Sequence, residues 1–184
     1  MTPGSFKGII EEVITEKLVE AINAAIQSPG AESWMHRYRA VDNLPVSHPK
    51  KSGKHRPRVD VEITNVRAGT HPQFHFEAKR LGKGCPVGQY VGRKGLGCII
   101  HADYARDHDD AGMLGYVQTG TCDVWGIKIE KKIMGDGATH CLLNGSCWRQ
   151  SIITEELCHT FLTQHDRPSL SRPVDVYHTL LLFQ

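Results

Sequence analysis

Ile10, Ile14, Leu18, Ile22 and Ala25 recur at helical spacing, with Val13 and Ile26 at the edges of the stripe. The period predicts a helix over residues 5–28, ended by Ser28-Pro29-Gly30. At about 100° per residue Glu11 projects onto the apolar side, between Leu18 and Ile22. Glu12, Glu16 and Glu20 point away, as on an ordinary solvated face. Residues 31–45 show no clean period, and Trp34 and Tyr38 are expected there as packing anchors. Alternation then takes over. In Val59-Asp60-Val61-Glu62-Ile63 the apolar residues share one face and the acids the other. In Phe74-His75-Phe76-Glu77-Ala78-Lys79 the phenylalanines and the alanine face one way, and His75, Glu77 and Lys79 the other.

Further along, the second half of residues 90–107 is expected to be helical, 113–119 a strand, and 121–132 a helix capped by Thr121. The stretch GDGATHCLLNGS reads as a loop. Strands are expected at 147–153, 158–164 and 174–183. The pattern describes one α/β domain over residues 1–184, a mixed central sheet with the N-terminal helix on one side and the 121–132 helix on the other.

The two alternating strands carry the chemistry. Glu77 and Lys79 project the same way, and Asp60 reaches the same spot if the strands at 59–63 and 74–80 are neighbours in register. Carboxylates on a hydrophobic sheet are costly unless something neutralises them. A divalent cation does so, and Mg²⁺ prefers one or two carboxylates with waters and phosphate oxygens; Mn²⁺ is the natural substitute. Lys79 would align the attacking water and offset charge on a phosphate. Glu62 shares the Asp60 face and is expected to be a solvated acid, with a supporting contact to Lys79 as the alternative.

Charge changes this picture locally. The formal net charge of the 184 residues is only +2, so attraction for nucleic acid must come from clusters. HPKKSGKHRPR supplies one, a basic loop with Lys50, Lys51, Lys54, Arg56 and Arg58. Arg80, Lys83, Arg93 and Lys94 supply another after the Glu-x-Lys strand. Two such rims would hold a sugar–phosphate backbone without reading sequence.

Other classes fall away. The six cysteines contain no Cys-x-x-Cys pair and no zinc-finger spacing. GRKGLG lacks the Gly-Lys-Ser/Thr of a nucleotide loop, and neither G-x-S-x-G nor H-E-x-x-H occurs. The opening MTPGSFKGIIEEVITEKL lacks the apolar core of a secretory leader, and no segment approaches a membrane span. The expectation is a cytoplasmic protein with reduced thiols and no membrane partner.

Asp60, a gap, then Glu77-Ala78-Lys79 on successive strands after an N-terminal helix resembles the PD-(D/E)XK nuclease superfamily. FHFEAKRL, the following Tyr90 and Gly95, GMLGYV, QHDR and VYHTLLLF extend the likeness to small bacterial nucleases of defence or mobile-element type. The chain departs from the motif's name at Val59, where the name has proline.

The resemblance implies a restriction-endonuclease-like fold and a Mg²⁺-dependent endonuclease, a hydrolase acting on DNA in preference to RNA and leaving a 5′-phosphate, in phage defence or restriction. It implies Glu11 as a further metal ligand beside Asp60 and Glu77, and His165 and Arg167 as phosphate contacts, with a polar loop pair as their plain alternative. His178 reads as a satisfied core histidine. A homodimer or a regulatory protein partner is compatible with so short a chain. The rival readings are a catalytically silent module that binds nucleic acid or a partner on the same fold, a nuclease of RNA, and an unrelated protein with an incidental Glu-x-Lys.

Overall fold

The computed structural model describes residues 6, 8–67 and 72–183. The first helix, α1, is Glu11–Ile26. It starts six residues later than the hydrophobic period suggests, because Gly8 sits in the left-handed region at φ 78°, a conformation that does not propagate a right-handed helix. The strands are β1 (Tyr38–Pro45), β2 (Arg58–Asn65), β3 (Gln73–Leu81), β4 (Asp110–Val117), β5 (Arg149–Gln150), β6 (Thr160–Arg167) and β7 (Arg172–Leu182). They form one mixed sheet in the order β1-β2-β3-β4-β7-β6-β5. β3, β4 and β7 run parallel to one another, and the other neighbours are antiparallel. Two short helices, α2 (Val87–Val91) and α3 (Leu96–Ile100), and the longer α4 (Cys122–Gly135) complete the fold.

The sheet separates two hydrophobic clusters. On one face Ile14 and Val19 of α1 pack with Ala40, Val61, Ala78, Leu114 and Tyr116. On the other, Trp125, Ile129 and Ile133 of α4 and Tyr90, Leu96 and Ile99 of α2 and α3 pack with Leu81, Met113, Val176 and Leu180. The expected opposition of the first helix and the 121–132 helix holds, and Thr121 caps α4 by accepting from the Val124 N–H at 3.3 Å. Close approach across the sheet demands glycine at Gly112, where a Cβ would lie 2.1 Å from the Phe76 ring.

Several expectations are corrected. β1 was hidden because its sequence, YRAVDNLP, belongs to a half-exposed edge strand without clean alternation. Trp34 and Tyr38 are not packing anchors: they are 56% and 37% exposed. The helix expected late in 90–107 is two short helices placed earlier. Ala102 and Ala105, at φ 54°, stop helical continuation after α3. The strand expected at 147–153 shrinks to Arg149–Gln150.

Candidate active site

β2 and β3 are neighbours, paired antiparallel from Val61↔Phe76 to Thr64↔Gln73. The pairing stops one residue short of Asp60. Here β2 changes face: Val59 packs in the α4-side cluster, whereas Val61 packs in the α1-side cluster, although residues two apart on a regular strand share a face. The separation leaves β3 with open amides on its β2-facing edge, and two carboxylates take them. Asp60 Oδ2 accepts from Ala78 N–H at 2.7 Å, and Glu11 Oε2 accepts from Arg80 N–H at 3.0 Å. Residues 78 and 80 present their N–H groups to the same side, so the acids cap consecutive vacant positions of one ladder.

Lys79 sits among these acids. Its Nζ lies 2.7 Å from Glu77 Oε1, 2.9 Å from Glu11 Oε1 and 3.8 Å from Asp60 Oδ2. It also donates to the Ala78 carbonyl. Burial opposes the Lys79 charge, but Glu77, Asp60 and Glu11 outweigh it and hold the ammonium's pKa above its usual value. Three carboxylates face one ammonium, so full ionisation leaves negative charge in surplus. Glu77, only 5% exposed, absorbs it: burial first, then the charges of Asp60 and Glu11, push its pKa up to about 9 against the opposing pull of Lys79. The centre is therefore short of positive charge, and a proton or a cation supplies it.

The oxygens open to such a cation are few. Both Glu11 oxygens are engaged, by Lys79 and by the Arg80 amide. Asp60 Oδ1 and Glu77 Oε2 accept no hydrogen bond among the described residues. No group of three or more His, Cys, Asp or Glu that could hold a metal occurs among the described residues. Two carboxylates with one uncommitted oxygen each still suit Mg²⁺, which retains waters and takes only one or two carboxylates.

The basic residues fall into two groups. Lys50, Lys51, Lys54, Arg56 and Arg58 are exposed, as are Lys83, Arg93 and Lys94. Arg58 donates to the Asn43 side chain. Lys51 and Arg93 meet on Asp103, 3.9 and 2.5 Å from its two oxygens, so the two rims are joined. Arg80 is half-buried and donates to the Ile9 carbonyl. Cys98 lies between rim and centre: burial first, then the charges of Glu77 and Asp103, push its thiol up to about 12. Sequence reasoning missed Cys98 and Asp103, and nothing in their local pattern marks them.

His165 and Arg167 are not at this centre. β6 is separated from β3 by β4 and β7. Both residues are buried, with exposures of 0% and 1%. Arg167 donates to the carbonyls of Ala105, His108 and Pro173, and His165 bonds Thr163 and the His140 carbonyl. A guanidinium committed to three carbonyls inside the protein has no free fork for a phosphate. The polar-loop alternative fails too, since both sit in a strand. Glu62 is not a solvated acid: it is 4% exposed, bonded to His75 Nε2 at 3.1 Å and Thr64 Oγ1 at 2.6 Å. His178 is the satisfied core histidine expected, fully buried with both ring nitrogens bonded.

Among the described residues no helix is long and apolar enough to cross a membrane. Compared with family models, with curated proteins and with solved structures, the chain matches none.

Proposed function

We propose that this chain is a metal-dependent nuclease that hydrolyses phosphodiester bonds, with DNA as the first substrate and RNA the second, on a restriction-endonuclease-like arrangement of its sheet. The observation that carries the reading is the convergence of Asp60, Glu77 and Glu11 on Lys79 where β2 leaves β3, with more negative charge than the lysine can balance. Asp60 and Glu77 would hold Mg²⁺ or Mn²⁺, which when bound would neutralise the carboxylates and polarise the scissile phosphate. Lys79 holds a permanent positive charge beside them, where it orients water for in-line attack and offsets charge on the phosphate. Glu11 fixes the Lys79 ammonium and acts as an anchor rather than a ligand. The rims carrying Lys50, Lys51, Lys54, Arg56, Arg93 and Lys94 would hold the backbone on either side.

A second reading, a module on the same fold that holds nucleic acid or a partner without cutting, draws on the Lys79 ammonium filling the middle of the carboxylates and on the absence of a three-ligand group among the described residues. Plasmid DNA and labelled RNA incubated with Mg²⁺, Mn²⁺ or chelator separate the two. The nuclease reading expects metal-dependent cleavage that Asp60→Ala and Lys79→Ala abolish. Cleavage surviving both substitutions would sink it, and tight binding without cutting under any metal would favour the module.

A further inference from the structure

The segment Trp34-Met35-His36-Arg37-Tyr38-Arg39 leads into and begins β1, the edge strand of the sheet, beside the C-terminal end of α1. α1 meets that edge at Ala40, where the Asn23 side chain clasps the Ala40 N–H at 3.0 Å and its carbonyl at 2.9 Å. Before Ala40, Trp34, His36, Arg37, Tyr38 and Arg39 are all exposed. The two rings stand edge to face, 6.0 Å between centroids. Beside them a cavity of about 390 Å³ opens between the end of α1 and β1, with Tyr38, Arg39 and Val66 in its wall.

Two features of this patch point to the chemistry of its partner. Among the described residues none of His36, Arg37 and Arg39 is paired with a carboxylate, and Arg67 adds a further exposed cation close by. An unneutralised cluster of this sign fits a polyanion. Edge protection would explain arginines on an outer strand, but not the rings, since exposed aromatics make an edge more adhesive. Flat rings interleaved with guanidinium groups are what unpaired bases stack on. A closed duplex offers phosphates and groove edges but no free base faces.

We infer that the Trp34–Arg39 segment is a stacking platform for single-stranded nucleic acid, DNA or RNA, which delivers an unpaired stretch to the Asp60–Lys79 centre. The inference rests on the nuclease reading for what it delivers, but not for what it binds. Tyr38 lies opposite Asn65, five residues along β2 from Asp60, or about 17 Å at about 3.4 Å per residue. An extended strand of a few nucleotides spans that distance, so the preferred substrate has an unpaired end, flap or gap.

The test measures binding by fluorescence anisotropy in chelator. It uses the full chain and labelled oligo-dT, oligo-rU and a blunt duplex of roughly 20 units, longer than the about 4–16 nucleotides a single fold covers. Single strands should bind more tightly than duplex and quench the protein's fluorescence. Trp34→Ala and Tyr38→Ala should each weaken single-strand binding about 5- to 150-fold, the range of one lost base stack. Trp34→Phe should keep most of the affinity, and duplex binding should not change. Both substituted side chains are exposed, and matching circular dichroism confirms that the variants fold.

A loss shared by oligo-dT and oligo-rU assigns stacking common to both, and a loss on one alone assigns the strand type. Single strands bound no better than duplex, or wild-type affinity in both alanine variants, overturns the platform. Cleavage is scored separately with Mg²⁺. A protein that never cuts but loses single strands on Trp34→Ala removes the nuclease reading and keeps the platform. One that cuts and is indifferent to Trp34→Ala does the reverse.

Discussion

Two of the polar clusters in this molecule's interior solve the same problem in opposite ways. One is a wire of neutral groups beneath α2. Tyr90 O–H meets His178 Nδ1 at 3.1 Å, His178 Nε2 meets Thr163 Oγ1 at 2.8 Å, Thr163 Oγ1 meets His165 Nε2 at 2.7 Å, and His165 Nδ1 meets the His140 carbonyl at 2.8 Å. The carbonyl can only accept, so His165 Nδ1 carries the proton and Nε2 accepts from Thr163. Thr163 then accepts from His178 Nε2–H, and His178 Nδ1 accepts from Tyr90. Each hydrogen has one place to go, and no charge is needed. The other cluster, around Lys79, is charged, partly open and electrically unbalanced. A satisfied network rigidifies, while a site left short of charge is poised to take up a ligand.

The largest effect should come from the unbalanced cluster and fall on activity. Lys79→Ala should lower the proposed cleavage about 10²- to 10³-fold or more, the usual consequence of removing one preorganised charge donor, as single-turnover rates at saturating Mg²⁺ would read. The wire should answer in the opposite currency. Thr163→Val strands His178 Nε2–H and His165 Nε2 in a fully buried place, which should cost about 2–4 kcal/mol of stability. Urea unfolding would read this as a lower midpoint at unchanged slope, with cleavage per folded molecule the same. A Thr163→Val protein that is stable but inactive would undo the division between the two clusters.

Stability against pH sharpens the contrast, because the two clusters lose it at opposite ends. Glu77 keeps its proton up to about 9 when folded, against an ordinary value of 4.5. The folded protein thus binds more protons in that window, and this contribution falls as pH rises from about 4.5 to about 9. For His165 burial lowers the value from 6.5 to about 4, and His178 shifts the same way. Here the unfolded chain binds more protons, so stability is full above about 6.5 and is lost as pH falls toward about 4. Each proton contributes at most about 1.4 kcal/mol per pH unit. Urea midpoints across this range should show both limbs. Glu77→Gln should flatten the alkaline limb alone, as should saturating Mg²⁺, which in the proposed site would replace the proton.

The same contrast decides what could be read from the sequence. Alternation placed Glu77 and Lys79 on one face and Asp60 within reach, and helical projection singled out Glu11, because those relations are local to one strand or helix. The satisfying partners of a buried polar group are not local. His165 and Arg167 look like loop residues in QHDRPSLS until His140, Ala105 and His108 arrive from distant segments. Cys98 and Asp103 come to the rim through the packing of α3, which no period announces. Trp34 and Tyr38 depart from expectation for a related reason: an aromatic residue signals burial on average, and only the packing of distant segments leaves these two outside.

Glu11 carries the smallest expected effect and the finest distinction. The resemblance implies a metal ligand, whereas both its oxygens are occupied by Lys79 and the Arg80 amide. The roles differ in what they do to rate and to metal affinity. A ligand lost by Glu11→Gln would raise the Mg²⁺ concentration needed for half-maximal cleavage and leave the rate at saturation largely recoverable. An anchor lost would loosen the Lys79 ammonium, lowering the saturated rate about 10-fold, the scale of one charge-assisted contact at the low end, about 1.5 kcal/mol, while the Mg²⁺ requirement stays put. The geometry favours the second outcome, since an oxygen already accepting from an ammonium or an amide must lose that bond before it can bind a cation.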